Sequence, residues 1–470
     1  MQRILISAAH KSSGKTTLTL GLCAALHARG LRVQPYKKGP DYIDPMWLSR
    51  ASGRDCHNLD FQTMSNDEML ATIALYSKDA DITLIEGNKG LYDGVAVDGS
   101  NSNAAVAEFT QTPVVLVVDT LGMTRGIAPL LLGYEAFNKD ITIAGVILNK
   151  VGGPRHEQKL RDVIKQYTRI PVIGAVPRLQ ELKITERHLG LIPSNEATDT
   201  NDVISKIASI IEKHVDLDLI IKIASCATNL PQTDYQLISA NKPLTLKVGI
   251  ARDAAFGFYY PGDLNAFRAE GVELVEFDTL KDKNLPDVDG LFIGGGFPES
   301  WMNELEANIS LRQQIKEAIE SGLPVYAECG GLMYLSNTVI WKDKKSQMVG
   351  AINADIEMNE RPQGRGYVSL KRTRDFLWNT AITNTSDKEI PAHEFHYSGF
   401  KNPECFATDS NIKYAYEMKR GHGINGKYDG LIYKNLLANY AHLRDTSRYH
   451  WVSEFVEFIR QIKSKFDIID

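Results

Sequence analysis

Position 329 is a cysteine set in Pro324-Val325-Tyr326-Ala327-Glu328-Cys329-Gly330-Gly331-Leu332-Met333. An apolar run stops at the thiol, two glycines follow, and a helical pattern begins. That order builds a nucleophile elbow, a tight turn that lifts a side chain out of a sheet at a helix N-terminus. A helix terminus beside sulfur favours thiolate. A free cysteine is ordinarily a core residue, but core packing alone does not call for two flexible residues at the turn. The chemistry is acyl transfer through a thioester, and it needs an oxyanion hole. Gly294-Gly295-Gly296-Phe297-Pro298 supplies candidate donors in the N–H groups of Gly295 and Gly296, and Gly330 N–H would complete the set. A histidine base is required as well. His393 and His396 in Ala392-His393-Glu394-Phe395-His396-Tyr397, and His442 in Asn439-Tyr440-Ala441-His442-Leu443, are the candidates, and spacing does not choose between them.

A second chemistry sits at the other end of the chain. Ala9-His10-Lys11-Ser12-Ser13-Gly14-Lys15-Thr16-Thr17 follows a short apolar run and opens a helical one, as a phosphate loop must. Ser12, Ser13, Gly14, Lys15, Thr16 and Thr17 would cradle ATP phosphates. Lys15 would reach the β- and γ-phosphates, and the Thr16 hydroxyl would ligate Mg²⁺. Ala9 stands where a glycine is usual. Phosphate-bound Mg²⁺ takes one or two carboxylates. Asp41, in Lys37-Lys38-Gly39-Pro40-Asp41-Tyr42-Ile43-Asp44-Pro45, and Glu86, opening Glu86-Gly87-Asn88-Lys89-Gly90-Leu91-Tyr92-Asp93-Gly94, are the candidates. Asn149 ends another apolar run. Its amide can donate and accept, as an adenine edge requires.

The elements that must position these residues read as α/β throughout. Apolar runs at 4–8, 82–86, 114–119 and 143–149 alternate with helical segments, the pattern of a parallel sheet whose ligands bind at the strands' carboxyl ends. Glu86, Asp119 and Asn149 fall at those ends. A polar, aperiodic stretch with two prolines marks a linker at 226–246. Alternation resumes with runs at 247–252, 272–277, 290–293 and 324–328. The expected domains are therefore 1–225, a phosphate-loop half, and 247–470, a thiol half. The tail 452–466 has helical apolar spacing and mixed charge on its polar face, which predicts a packing helix.

Bulk properties agree. A chain of 470 residues holds two to four domains at roughly 100–200 residues each. Its 43% hydrophobic and 24% charged content is ordinary for a globular protein, and a formal charge of −5 gives no general pull toward nucleic acid or anionic membrane. Cys23, Cys56, Cys226, Cys329 and Cys405 include no CxxC pair, so neither a zinc site nor a disulfide framework is expected. No apolar run reaches the roughly 18 residues of a membrane span, and the N-terminus lacks a cleavable signal. A cytoplasmic protein is expected.

Taken together, the phosphate loop, KKGPDYIDP, EGNKGLYDG, GGGFPE, YAECGGLMYL, HEFHYS and NYAHL resemble the cobyrinic acid a,c-diamide synthase family, from Ile4 to about Leu443. The resemblance implies two doubly wound α/β domains: a P-loop NTPase-like, dethiobiotin-synthetase-like half, and a flavodoxin-like, class I glutamine amidotransferase half. It implies small-molecule substrates (ATP, glutamine and a tetrapyrrole), and a homodimer is the assembly expected. It makes Cys329 the nucleophile and His442 the base, supports Thr16, Asp41 and Glu86 near Mg²⁺, and places Tyr42 and Asp44 near the tetrapyrrole. Many class I domains carry a glutamate two residues after the histidine. Arg444 stands there, so a Cys–His dyad is expected, with Glu328 and Glu394 as candidate helpers. The rival readings are nickel-sirohydrochlorin a,c-diamide synthase, cobyric acid synthase, and a partitioning-type P-loop ATPase, which would leave the second half unexplained.

Overall fold

The computed structural model describes residues 1–179, 186–187, 190–197, 199–237, 242–378, 388–401 and 413–466. Cys405 and residues 238–241 of the expected linker lie outside them. The chain divides into two compact units, Met1–Leu237 and Ile238–Asp470.

The first unit is built on seven strands: β1 (Arg3–Ala8), β2 (Val33–Lys38), β3 (His57–Leu59), β4 (Ile82–Glu86), β5 (Val114–Asp119), β6 (Ile143–Val151) and β7 (Val172–Pro177). They pair in parallel in the order β3-β2-β4-β1-β5-β6-β7. Buried on both faces, these strands need near-continuous apolar sequence, and Leu84, Ile85, Val115, Leu116, Val117 and Ile147 are fully buried. Helix α1 (Lys15–Ala28) covers one face, with Trp47, Ile207 and Ile220 in the same core. Tyr36, Met69, Leu91 and Leu131 pack on the other. Strand order reverses around β1 and β4, and both end beside the phosphate loop. This is the switch point where a doubly wound sheet opens a binding crevice.

The second unit repeats the principle and then departs from it. Val272–Phe277, Leu246–Ala251, Gly290–Ile293, Val325–Glu328 and Leu436–Asn439 form a parallel core. Tyr428–Tyr433, Lys413–Arg420, Gly364–Arg372 and Ile390–His396 extend the same sheet antiparallel. The helix Trp451–Phe466 seats the buried Val452, Phe455, Val456 and Ile459 against this sheet's core, so the packing role expected for the tail holds. Among the described residues no helix is long and apolar enough to cross a membrane.

Candidate active sites

In the second unit, Val325–Glu328 ends one residue before Cys329, and a short helix, Gly330–Leu335, begins one residue after it. Cys329 sits at φ 47°, a left-handed conformation costly for a residue with a Cβ. It is pinned there by its N–H, which donates to Asn439 O at 2.7 Å. The turn also needs glycine. A Cβ on Gly330 would stand 2.9 Å from Gly296 N, and one on Gly331 would stand 2.1 Å from Ile293 O. These contacts bring the elbow against the Gly294–Gly296 loop. Gly294 N–H donates to Tyr259 Oη at 3.0 Å and Phe297 N–H to Ala255 O at 2.9 Å, which fixes the loop on both sides of Gly295 and Gly296.

His442 lies against the same loop, its Cε1 2.7 Å from where a Gly295 Cβ would be. The strand Leu436–Asn439 pairs with Val325–Glu328, putting Asn439 opposite Glu328. Three residues on, His442 Nδ1 meets Glu328 Oε2 at 3.2 Å. Glu328 is held in turn: Oε1 accepts from Tyr326 Oη at 2.6 Å and from Leu443 N at 2.8 Å. The imidazole therefore has a buried carboxylate orienter, and the arrangement differs from the dyad expected from Arg444. Arg444 instead lays its guanidinium 5.0 Å from the Tyr260 ring centroid. His393 stacks on His442 at 4.9 Å and 18°, and burial, with His442 and Arg444, holds it well below the ordinary histidine range. Glu394 is spent on the backbone N–H groups of His422 and Gly423, and His396 stacks on Tyr440. Burial pushes the Cys329 thiol up, with Glu299 and Glu328 adding to it, while Gly330 N–H opposes them. Burial among carboxylates thus opposes the thiolate that the helix terminus favours, and that helix is only six residues long.

In the first unit, Gly14 at φ 87° closes the phosphate loop, and a Cβ there would meet Asn149 Nδ2 at 2.3 Å. Asn149 Nδ2 donates to Ser13 O at 2.8 Å, and its Oδ1 accepts from Lys150 N. The structure thus brings Asn149 onto the loop itself. Ser13 Oγ donates to His10 O, Ser12 is exposed, and Thr16 and Thr17 lie in the first turn of α1. Burial brings Lys15 down to about 8, with Glu86 opposing.

Thr16 Oγ1 lies 2.7 Å from Glu86 Oε1 and 3.1 Å from Asp44 Oδ2. Lys37 joins them, 2.5 Å from Asp44 Oδ2, 2.8 Å from Glu86 Oε1 and 4.0 Å from Asp41 Oδ2. Asp41 also accepts from Asp44 N at 3.1 Å. Asp44 therefore stands nearer Thr16 than its expected place beside a macrocycle implied. Tyr42, nearly buried, precedes the helix Ile43–Ser52. Burial, with Asp44 next, pushes Asp41 up, and burial pushes Glu86 up against the pull of Lys37. Among the described residues no three His, Cys, Asp or Glu side chains converge to hold a metal. A phosphate-bound Mg²⁺ asks less, a hydroxyl and one or two carboxylates. Thr16, Glu86 and Asp44 supply hard oxygen donors, and Glu86 Oε2 is buried without a hydrogen-bond partner, so the residues fit that ion.

Two residues escaped the sequence reading. Lys37 is one, though a lysine ending a strand beside a phosphate loop was a usable signal. Asn103 is the other. Fully buried, it accepts from Asn88 N and donates to Asn88 O, Gly90 O and Ser7 Oγ within 2.8–3.1 Å, holding the Glu86–Gly94 turn against β1. No sequence motif marks it.

A P-loop nucleotide site and a thiol–histidine–glutamate site in one chain define a nucleotide-binding glutamine amidotransferase. The matching family models are the CobQ/CobB/MinD/ParA nucleotide binding domain over residues 4–192 and the CobB/CobQ-like glutamine amidotransferase domain over 247–448. A cobyrinate a,c-diamide synthase of Magnetococcus marinus is 44% identical over 98% of this chain and 97% of its own. Those of Methanosarcina acetivorans and Archaeoglobus fulgidus are each 39% identical over 97% of this chain, and 95% and 97% of their own. The chain belongs to the cobyrinate a,c-diamide synthase family.

Proposed function

We propose that this protein amidates the a- and c-acetate carboxylates of cobyrinic acid in cobalamin biosynthesis, using ATP and glutamine. The observation that carries the chemistry is Cys329, held at positive φ beside a His442–Glu328 pair, on the same chain as the phosphate loop. The ring follows from the relatives' names.

Cys329 Sγ attacks the glutamine amide carbon as His442 takes the thiol proton. Glu328, bonded at Nδ1, leaves Nε2 as the accepting nitrogen and steadies the imidazolium. Gly295, Gly296 and Gly330 offer N–H groups to the oxyanion. His442 returns the proton to the departing ammonia, and water then hydrolyses the thioester to glutamate. A carboxylate cannot lose oxide to ammonia, so an acetate oxygen first attacks the γ-phosphorus of ATP and ADP leaves. Ammonia then attacks the acyl phosphate carbon and phosphate departs. Ser12, Ser13, Gly14, Lys15, Thr16 and Thr17 bind the phosphates, with Asn149 bracing their loop, and Lys15 offsets the charge of the transferring group. Thr16, Glu86 and Asp44, with Asp41 beside them, would hold Mg²⁺, which when bound neutralises phosphate charge. Tyr42 would contact the macrocycle. Cys23, Cys56, Cys226 and Cys329 are free thiols, which suits a cytoplasmic enzyme, and a homodimer is the assembly proposed.

The test offers the purified protein cobyrinic acid, hydrogenobyrinic acid and nickel-sirohydrochlorin with ATP and glutamine, and reads products by mass. Two successive amidations of cobyrinic acid are expected. Turnover of nickel-sirohydrochlorin alone would overturn the assignment.

A further inference from the structure

Lys37 and Lys38 end β2, and successive strand residues face opposite sides of a sheet. Lys37 lies on the α1 side, among Thr16, Asp44 and Glu86. Lys38 shares the face of Tyr36, away from α1. Both are buried, at 3% and 6% exposure. Their surroundings differ. Lys37 has three carboxylates within 4.0 Å. The Lys38 ammonium makes one hydrogen bond, to Asn88 Oδ1 at 3.1 Å, and no ion pair among the described residues.

Buried lysines are ordinarily paired, and an ammonium has three protons to place. Lys38 places one. Asp60, whose charge favours the ammonium, accepts from Gln62 N at 3.1 Å and Thr63 Oγ1 at 3.4 Å. Lys89 and Lys37 push the other way, and burial with them brings Lys38 down to about 8. The Phe61 ring, half-buried, lies 5.9 Å from Nζ. The position is the carboxyl end of a parallel strand, where ligands bind, and Asn88 belongs to the same turn as Glu86. A desolvated cation with two protons to give, an amide beside it and an aromatic face nearby together fit a carboxylate carried on a flat, largely apolar ring.

We propose that Lys38 binds a carboxylate of the macrocycle other than the one being phosphorylated, and thereby sets which acetate reaches the phosphate loop. Its facing away from Lys37 and Thr16 separates it from the reacting group. The proposal rests on the polycarboxylate substrate assigned above.

Lys38→Met and the wild type are compared with cobyrinic acid, ATP and ammonium chloride, so that glutamine chemistry plays no part. Lys38→Met is expected to raise KM for cobyrinic acid by roughly tenfold or more, the effect of one lost charge-assisted hydrogen bond. KM for ATP should stay within about twofold, and the ratio of the two monoamide intermediates should change. An unchanged KM for cobyrinic acid, an unchanged monoamide ratio, or an equal rise in KM for ATP would overturn the proposal. Wild-type protein that leaves cobyrinic acid untouched would instead overturn the assignment of function.

Discussion

Glu328 is the residue on which the thiol site turns. Its carboxylate meets His442 Nδ1 while two other donors hold it still, so Glu328→Gln keeps the shape and loses the charge that steadies an imidazolium. We expect glutamine-dependent kcat to fall roughly 10²- to 10⁴-fold, with ammonia-dependent synthesis unaffected. Parallel steady-state assays check this, and an unchanged glutaminase rate would remove Glu328 from the triad. Cys329 gives a pH test. Its proton is held above the ordinary thiol range by burial, so below pH 9 the thiolate fraction grows tenfold per pH unit. Alkylation of Cys329 by iodoacetamide, followed by peptide mass mapping, should rise log-linearly from pH 6 to 9. A plateau near neutrality would mean a preformed thiolate. The elbow at Cys329 was legible in the sequence because an elbow is local. The sequence left the orienter open between Glu328 and Glu394, because Glu328 reaches His442 through the pairing of two strands more than a hundred positions apart. A search confined to the residues after His442 meets Arg444 instead.

At the scale of elements, the elbow depends on how closely one strand end approaches the next. Gly331 leaves no room for a Cβ, which would lie 2.1 Å from the Ile293 carbonyl oxygen, and a strand backbone in mid-sheet cannot retreat. Gly331→Ala should therefore destabilise the second unit by about 3 kcal/mol and abolish glutamine hydrolysis. Urea unfolding together with a glutaminase assay measures both, and wild-type stability would refute the account of the turn. Four parallel strands of the first unit, at 4–8, 82–86, 114–119 and 143–149, were legible because burial on both faces writes them as apolar runs; Val33–Lys38, His57–Leu59 and Val172–Pro177 were not. The position of Asp44 was not. Asp41 and Asp44 are three residues apart in one polar segment, and only the helix Ile43–Ser52 shows which carboxylate turns toward Thr16. The antiparallel extension of the second sheet was equally hidden, since its strands mix exposed and buried residues without a parallel strand's continuous apolarity.

Across the whole molecule, two sheets of similar design carry two half-reactions. Each unit has its own cores, and each site is built at the carboxyl ends of its own strands. The two-part organisation was readable because strand–helix alternation stops at a polar stretch and restarts. The identity of the macrocycle was readable only through resemblance, since no pattern of residue types distinguishes one acetate-bearing ring from another. The central claim is a division of labour, with ammonia made at Cys329 and used at the phosphate loop. Its most direct test is Cys329→Ala assayed with cobyrinic acid and ATP, once with glutamine and once with an ammonium salt. The account predicts no amide from glutamine and near wild-type diamide from ammonium. A folded Cys329→Ala protein that still uses glutamine, or that fails with ammonium, would contradict it.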